Sequence, residues 1–200
     1  MMQAIIIDGD GVVINRDKRF SDRLQADYGI MTETTAPFFE GVFQKCVVGK
    51  ADLKEELAHC YKNWGWKGTL KELLHYWFSK EGLHNEKMLQ IIAKLRAHGI
   101  SVFLLTDNEK YRTDYLKNEF GLGAHFDAVF SSAYIGFRKE NVGFWKQVKR
   151  TLKNKPEEVL VWDDERENIT AARNVDFIAE QFIGMDDFNR KMGIYFSEIL

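Results

Sequence analysis

Two hundred residues, 45% hydrophobic and 14% aromatic, suffice for one core of ordinary size or a core carrying a smaller insertion. A net charge of −2 offers no basic surface for nucleic acid or an anionic membrane, and two prolines without a Gly- or Ser-rich run argue against disorder. No apolar run approaches the roughly 20 residues of a membrane span, the first one stops at acids before a leader could form, and Cys46 and Cys60 lack the number or spacing for disulfides or a metal. A soluble, cytoplasmic monomer or homodimer is expected.

The chain opens on Ala4-Ile5-Ile6-Ile7, which runs into Asp8-Gly9-Asp10-Gly11-Val12. A continuous apolar run of this length reads as a strand buried on both faces, as in a parallel sheet covered by helices. From there to about Gly82 the pattern is helical, with no convincing strand. Asp52-x-x-Glu55 and Thr69-x-x-Glu72 look like capping boxes. Pro37 is placed near the start of a helix through Phe38, Phe39, Val42 and Phe43. Trp64, Trp66 and Trp77 are read as packing inside this segment. Residues 15–84 are therefore expected to be a helical cap inserted into a core made of residues 1–14 and 85–200.

After that the grammar alternates. Asn85 caps a helix with Met88, Ile91, Ile92 and Leu95 on its apolar face, closed by Gly99. Strands are expected at 100–105, 128–130, 159–162 and, more weakly, 177–182. Helices are expected at 109–120, 142–152 and 167–173, with a last one capped by Asp186 or Asp187. This alternation implies an α/β fold with a doubly wound parallel sheet, and in such folds ligands bind outside the carboxyl ends of the strands. Those ends carry Asp8 and Asp10, Thr106 and Asp107, Ser131 and Ser132, and Asp163 and Asp164.

If Asp8, Asp10 and one of the later aspartates meet, each carboxylate pair about 4 Å apart costs roughly 4 kcal/mol at an effective dielectric of 20. Such a group either protonates in part or holds a cation. Hard oxygen donors without histidine or cysteine suit Mg²⁺. A calcium loop starting at Asp8 fails, because Val12 and Arg19 stand where oxygen ligands are needed. An acid cluster with Mg²⁺, a hydroxyl and Lys139 is equipment for a phosphoryl group. The five histidines show no ligand spacing.

Four motifs stand in the order of the haloacid dehalogenase superfamily, whose core is Rossmann-like. They are Asp8-Gly9-Asp10-Gly11-Val12, Thr106 at the next core strand end, Lys139 in Gly136-Phe137-Arg138-Lys139, and Val161-Trp162-Asp163-Asp164 with its following helix. Within that superfamily the chain resembles bacterial sugar-phosphate phosphatases such as the α-glucose-1-phosphate phosphatase. The resemblance implies a Mg²⁺-dependent phosphatase of a small phosphorylated metabolite. Asp8 would be the nucleophile that forms an aspartyl-phosphate, and Asp10 the general acid and base. Thr106, Asp107 and Lys139 would face the phosphoryl oxygens. The metal would take Asp8, the main-chain carbonyl of Asp10, and Asp164, with Asp163 as auxiliary ligand.

Two positions depart from the family pattern: Asp107 replaces the usual asparagine, and Glu140 replaces the proline after the lysine. Either Asn108 shifts into the asparagine's role or Asp107 points away. Lys50, beside Gly49, is the candidate for a cap residue touching substrate. Alternatives are a phosphomutase, a weakly active or non-catalytic phosphate-binding relative, a dehalogenase, which Asp10 and Asp163-Asp164 disfavour, and a receiver domain, which the long insertion disfavours.

Overall fold

The computed structural model describes residues 2–16, 18–80 and 82–200. In chain order, β1 (Ala4–Asp8) leads through a tight loop to β2 (Ile14–Arg16). Then come α1 (Phe20–Tyr28), α2 (Thr32–Glu40), α3 (Phe43–Val47), α4 (Leu53–Ala58) and α5 (Leu70–Ser79). The chain returns through β3 (Gly82–His84) and continues with α6 (Glu86–Ala97), β4 (Ser101–Thr106) and α7 (Lys110–Asn118). Next are β5 (Ala128–Ser131), α8 (Ser132–Ile135), α9 (Val142–Thr151), β6 (Val159–Asp163), α10 (Arg166–Arg173), β7 (Ile178–Gln181) and α11 (Met185–Tyr195).

Among the described residues β5-β4-β1-β6-β7 form one parallel sheet with β1 at its centre. All five residues of β1 are buried, as a central strand covered on both faces requires. Its side chains alternate between two cores. Ile5 and Ile7 pack with Ile92, Leu95, Leu116, Phe188 and Met192 from α6, α7 and α11. Ala4 and Ile6 pack with Phe144, Trp145, Val148, Ile169 and Ala172 from α9 and α10. This is the doubly wound α/β arrangement that the alternating pattern implies.

The helices α1 to α5 have an apolar cluster of their own, built on Phe20, Leu24, Phe38, Leu57, Leu73 and Trp77. Trp64 and Trp66 are buried in it, as their reading as packing residues requires. The expectation of no strand in this region is corrected: β2 and β3 pair antiparallel, Ile14 with His84 and Arg16 with Gly82. Three residues each are too few to express a two-residue alternation in sequence. The ribbon gathers both crossings of the insertion at one edge of the core.

Several helix ends differ from expectation for local reasons. Pro37 lies inside α2 rather than near its start, where its missing N–H cannot donate to the carbonyl of Glu33, an exposed residue. Thr69 and Glu72 form the full reciprocal box. Asp52 caps α4 through Oδ1 alone, because its Oδ2 takes Lys110 Nζ (2.6 Å) and the Tyr111 hydroxyl (2.8 Å) from α7. Asp186 and Asp187 occupy the first turn of α11, with Gly184 at its cap. The short α8 has too few residues for a periodic signal. Among the described residues no helix is long and apolar enough to cross a membrane.

Asn85 ties the returning chain to the loop after β1. Its side chain accepts from Met88 N (3.3 Å) and donates to the Val12 carbonyl (2.9 Å), while its own N–H donates to the Val13 carbonyl (2.8 Å). Asn85→Ala removes a buried cap and leaves the Val12 carbonyl without that donor. The expected cost is about 2 kcal/mol in the urea midpoint analysis; an unchanged midpoint would contradict this role.

Candidate active site

The loop after β1 is shaped by two close approaches. Gly9 N–H donates to the Leu105 carbonyl and to Asp8 Oδ1, both at 2.8 Å, so the chain hugs β4 as it leaves the sheet. Gly11 has φ +91°, and a Cβ there would lie 2.4 Å from Asp164 Oδ2. Glycine is needed on both counts, and the Asp164 carboxylate lies directly against the Asp8 loop. Thr106 at the end of β4 is buried beside them.

Lys139 is the cation at the centre. Its backbone is held from two sides: the Asp107 carboxylate accepts its N–H at 3.1 and 3.3 Å, and Trp145 Nε1 donates to its carbonyl at 2.6 Å. Its Nζ lies 2.7 Å from Asp8 Oδ1 and 2.8 Å from Asp163 Oδ2, and all three side chains are buried. Burial alone would lower the Lys139 ammonium, but Asp8, Asp163 and Asp107 overcome it and raise it above the usual lysine range. Burial also pushes the Asp8 carboxyl well above the usual carboxylate range, with Lys139 opposing and Asp163 adding to the rise.

Asp163 uses both oxygens. Oδ2 takes Lys139, and Oδ1 accepts from Glu165 N and Asn168 Nδ2, each at 2.9 Å. Asp164 is half-buried, with its main-chain carbonyl held by Gln181 Nε2 at 2.9 Å. Carboxylate oxygens of Asp8, Asp163 and Asp164 lie within 4.8 Å of one another. One ammonium among three carboxylates leaves net negative charge in a poorly solvated place. These hard oxygens fit Mg²⁺, with Asp8 and the less engaged Asp164 as the freer donors.

The Asp10 side chain turns away from that group. Arg16 NH2 pairs with its Oδ2 at 2.9 Å, Asn108 Nδ2 donates to Oδ2 at 2.8 Å, and Arg112 NH2 lies 3.8 Å from Oδ1. Burial would raise the Asp10 carboxyl; the two arginines and the Asn108 bond outweigh it and hold it below the usual range. Arg112 also donates through NH1 to the Phe78 carbonyl (2.9 Å) near the end of α5, linking the acid to the insertion.

Asp8, Thr106, Lys139, Asp163 and Asp164 therefore gather at the strand ends, and Asp10 stands beside them with its side chain on the arginines. Asn108 Nδ2 also contacts Thr106 Oγ1 at 2.5 Å, so it braces Asp10 and Thr106 while Asp107 braces the Lys139 backbone. Lys50 is exposed and lines a separate surface depression with Asp52, Lys110 and Tyr134, not the Asp8 cleft. Arg16, Arg112 and Asn168 escaped sequence reasoning. Only Asn168 carried a signal: five residues beyond Asp163, it lies in the first turn of the next helix, facing back to the strand end. The cleft over Asp8 measures about 430 Å³ and is bordered by Arg16, Asp107, Arg138, Glu140 and Asp164.

The haloacid dehalogenase-like hydrolase family matches residues 2–176, and the chain belongs to that family. Among curated proteins it is 33% identical over 98 residues to "Bifunctional epoxide hydrolase 2" of Rattus norvegicus, covering 47% of this chain and 18% of that protein. It is 26% identical over 92 residues to "Sesquiterpene phosphatase astK" of Aspergillus oryzae, covering 46% and 47%. The chain thus spans less than half the length of these relatives. Similar solved structures include a HAD-family enzyme of Bacteroides thetaiotaomicron in complex with magnesium, with TM-score 0.80, 20% identity and coverage of 96% of this chain and 98% of that one. L-2-haloacid dehalogenase of Xanthobacter autotrophicus is more distant, with TM-score 0.66, 18% identity and coverage of 100% and 85%. At these identities the structures share the fold.

Glu109 supplies a pH-dependent term. It caps α7, accepting from Tyr111 N (2.8 Å) and Arg112 N (2.5 Å), and burial pushes its carboxyl from 4.5 up to about 7. Between those values the unfolded chain releases the proton and the folded chain keeps it, so stability falls as pH rises. Above pH 7 the penalty is complete, about 3 kcal/mol. Glu109→Gln is neutral throughout. Its stability relative to wild type should climb from pH 5 to pH 8 in urea titrations; a pH-independent difference would contradict the burial argument.

Proposed function

We propose that the chain is a Mg²⁺-dependent phosphatase, a phosphoric monoester hydrolase of small phosphorylated metabolites, sugar phosphates included, acting through an aspartyl-phosphate on Asp8. The observation that carries this reading is the buried Asp8–Lys139–Asp163 contact beside Asp164, at the edge where parallel sheets of this kind bind ligands. The family assignment, the magnesium-bound fold neighbour and the phosphatase named among the relatives support it.

Asp8 would attack phosphorus in line, and the bond from phosphorus to the ester oxygen would break. Asp10 is ionised in the contacts described. The negative charge of a bound phosphate ester beside it would favour uptake of a proton from solvent. Asp10 would give that proton to the ester oxygen, then remove a proton from the water that attacks phosphorus and returns Asp8 to a carboxylate. Lys139 Nζ, Thr106 and the N–H groups after Asp8 would bind the phosphoryl oxygens. Asp8, Asp164 and the main-chain carbonyl of Asp10 would hold Mg²⁺, with Asp163 auxiliary. The ion would offset charge on the phosphoryl oxygens and the carboxylates. The insertion would act as a cap that selects the leaving group and excludes water.

Phosphoryl transfer is favoured over halide displacement because a halide leaves without a proton, which would make the elaborately braced Asp10 idle. An acid cluster would also repel the departing halide. A cytoplasmic setting agrees with the free thiols of Cys46 and Cys60.

With Mg²⁺, the protein should hydrolyse a generic aryl phosphate, and a chelator should stop it. Asp8→Asn should reduce the rate to background. Equal rates for wild type and Asp8→Asn would overturn the proposal, and phosphate binding without turnover would favour the non-catalytic alternative.

A further inference from the structure

A second cavity, of about 290 Å³, opens between the insertion and the core and shares Arg16, Asp107 and Arg138 with the cleft over Asp8. The two spaces therefore adjoin, and this cavity is the neighbouring space for the group attached to a phosphate ester seated at Asp8. The volume lies at the small end of ligand pockets, enough for one ring with a substituent.

One wall of this cavity is aromatic. Trp77 stacks on Phe20 with centroids 4.5 Å apart and planes 13° apart, and it meets Phe39 at 5.4 Å and Phe43 at 5.5 Å. Trp77 was expected only to pack the insertion; it does so and also lines the cavity. Rings that lock one another present a preformed apolar face, which suits a flat or apolar group better than a sugar.

Arginines also line this cavity. Arg16 and Arg112 are engaged with Asp10, but Arg138 and Arg19 make no ion pair among the described residues. Arg138 donates instead to the neutral Gln44 Oε1, while Gln44 Nε2 donates to the Phe39 carbonyl at 2.5 Å. Gln44 thus fixes the Arg138 guanidinium at the aromatic wall without cancelling its charge. Of the two acids in this cavity, Glu109 accepts from the first amides of α7, while Asp107 accepts from the Lys139 N–H and also feels the Arg138 charge. A guanidinium held in place without a direct ion pair is suited to a planar carboxylate or a phosphate.

We infer that this cavity recognises a leaving group with a flat apolar face and a second anionic group, bound by the aromatic wall and by Arg138 with Arg19. The inference rests on the phosphatase reading of Asp8, since that reading places the ester oxygen at the cavity's mouth. Arg138 and Arg19 are here specificity residues, and they leave the reacting atoms to Asp8, Asp10 and Lys139.

The test compares phenyl phosphate, 3- and 4-carboxyphenyl phosphate and a sugar monophosphate. It uses wild-type turnover with Mg²⁺ and calorimetric binding to the Asp8→Asn protein. At least one carboxylated ester should exceed phenyl phosphate about tenfold in kcat/KM and in affinity, chiefly through KM. Phenyl phosphate should in turn exceed the sugar ester. Arg138→Gln should erase the carboxylate preference, and the exposed Arg19→Gln, which carries no folding risk from burial, should reduce it. Equal constants for the phenyl and carboxyphenyl esters, or a preference indifferent to both substitutions, would overturn the inference while the phosphatase reading stands. Arginine-dependent selective binding with no hydrolysis of any ester would uphold the ligand class and overturn the phosphatase reading. Absence of both binding and turnover would overturn the inference.

Discussion

The site depends on one ammonium shared by two buried carboxylates. Asp8 ends β1 and Asp163 ends the neighbouring β6, so the parallel register itself sets their spacing, and Lys139 Nζ fits between them at 2.7 and 2.8 Å. Such a group is costly to desolvate and is weak support for stability. The surrounding structure is organised to keep it in place. Asp107 and Trp145 hold the lysine backbone, Asn168 and Glu165 N hold the far oxygen of Asp163, and Gly11 allows Asp164 to approach. With Asp164 added, the balance remains negative, which is the physical reason a divalent cation belongs to the account.

The second acid is organised differently, and the contrast separates the two roles. Asp8, the proposed nucleophile, is pressed against a lysine in the protein interior. Asp10, two residues on, lies at the edge of the cleft against Arg16, Asn108 and Arg112. Because Arg16 belongs to β2 and Arg112 reaches the Phe78 carbonyl of α5, the acid is mechanically coupled to the insertion on both of its sides.

Much of this was legible from residue order. Apolar runs ending in acids identify β1 and β6, and the helical pattern read between Val13 and Gly82 corresponds to α1 through α5. Asn85, Thr69 and Gly99 act where their chemistry predicts. What stayed hidden was set by tertiary neighbours. The β2–β3 ribbon is too short to announce itself. Arg16 and Arg112 are ordinary surface-type residues until the fold places them on Asp10. The choice between Asp107 and Asn108 turns on the Lys139 amide, which lies 32 residues away along the chain.

The central claim is that Asp8 becomes covalently phosphorylated, and it can be read directly. An aryl phosphate has a stable leaving anion and would need little help from Asp10 in the proposed first step, whereas the proposed second step would need Asp10 to activate water. In Asp10→Asn, mixed with Mg²⁺ and an aryl phosphate and quenched in acid, peptide mass spectrometry should find phosphate on Asp8. Phosphate on another residue, or steady hydrolysis by this variant with no phosphorylated protein, would contradict the account.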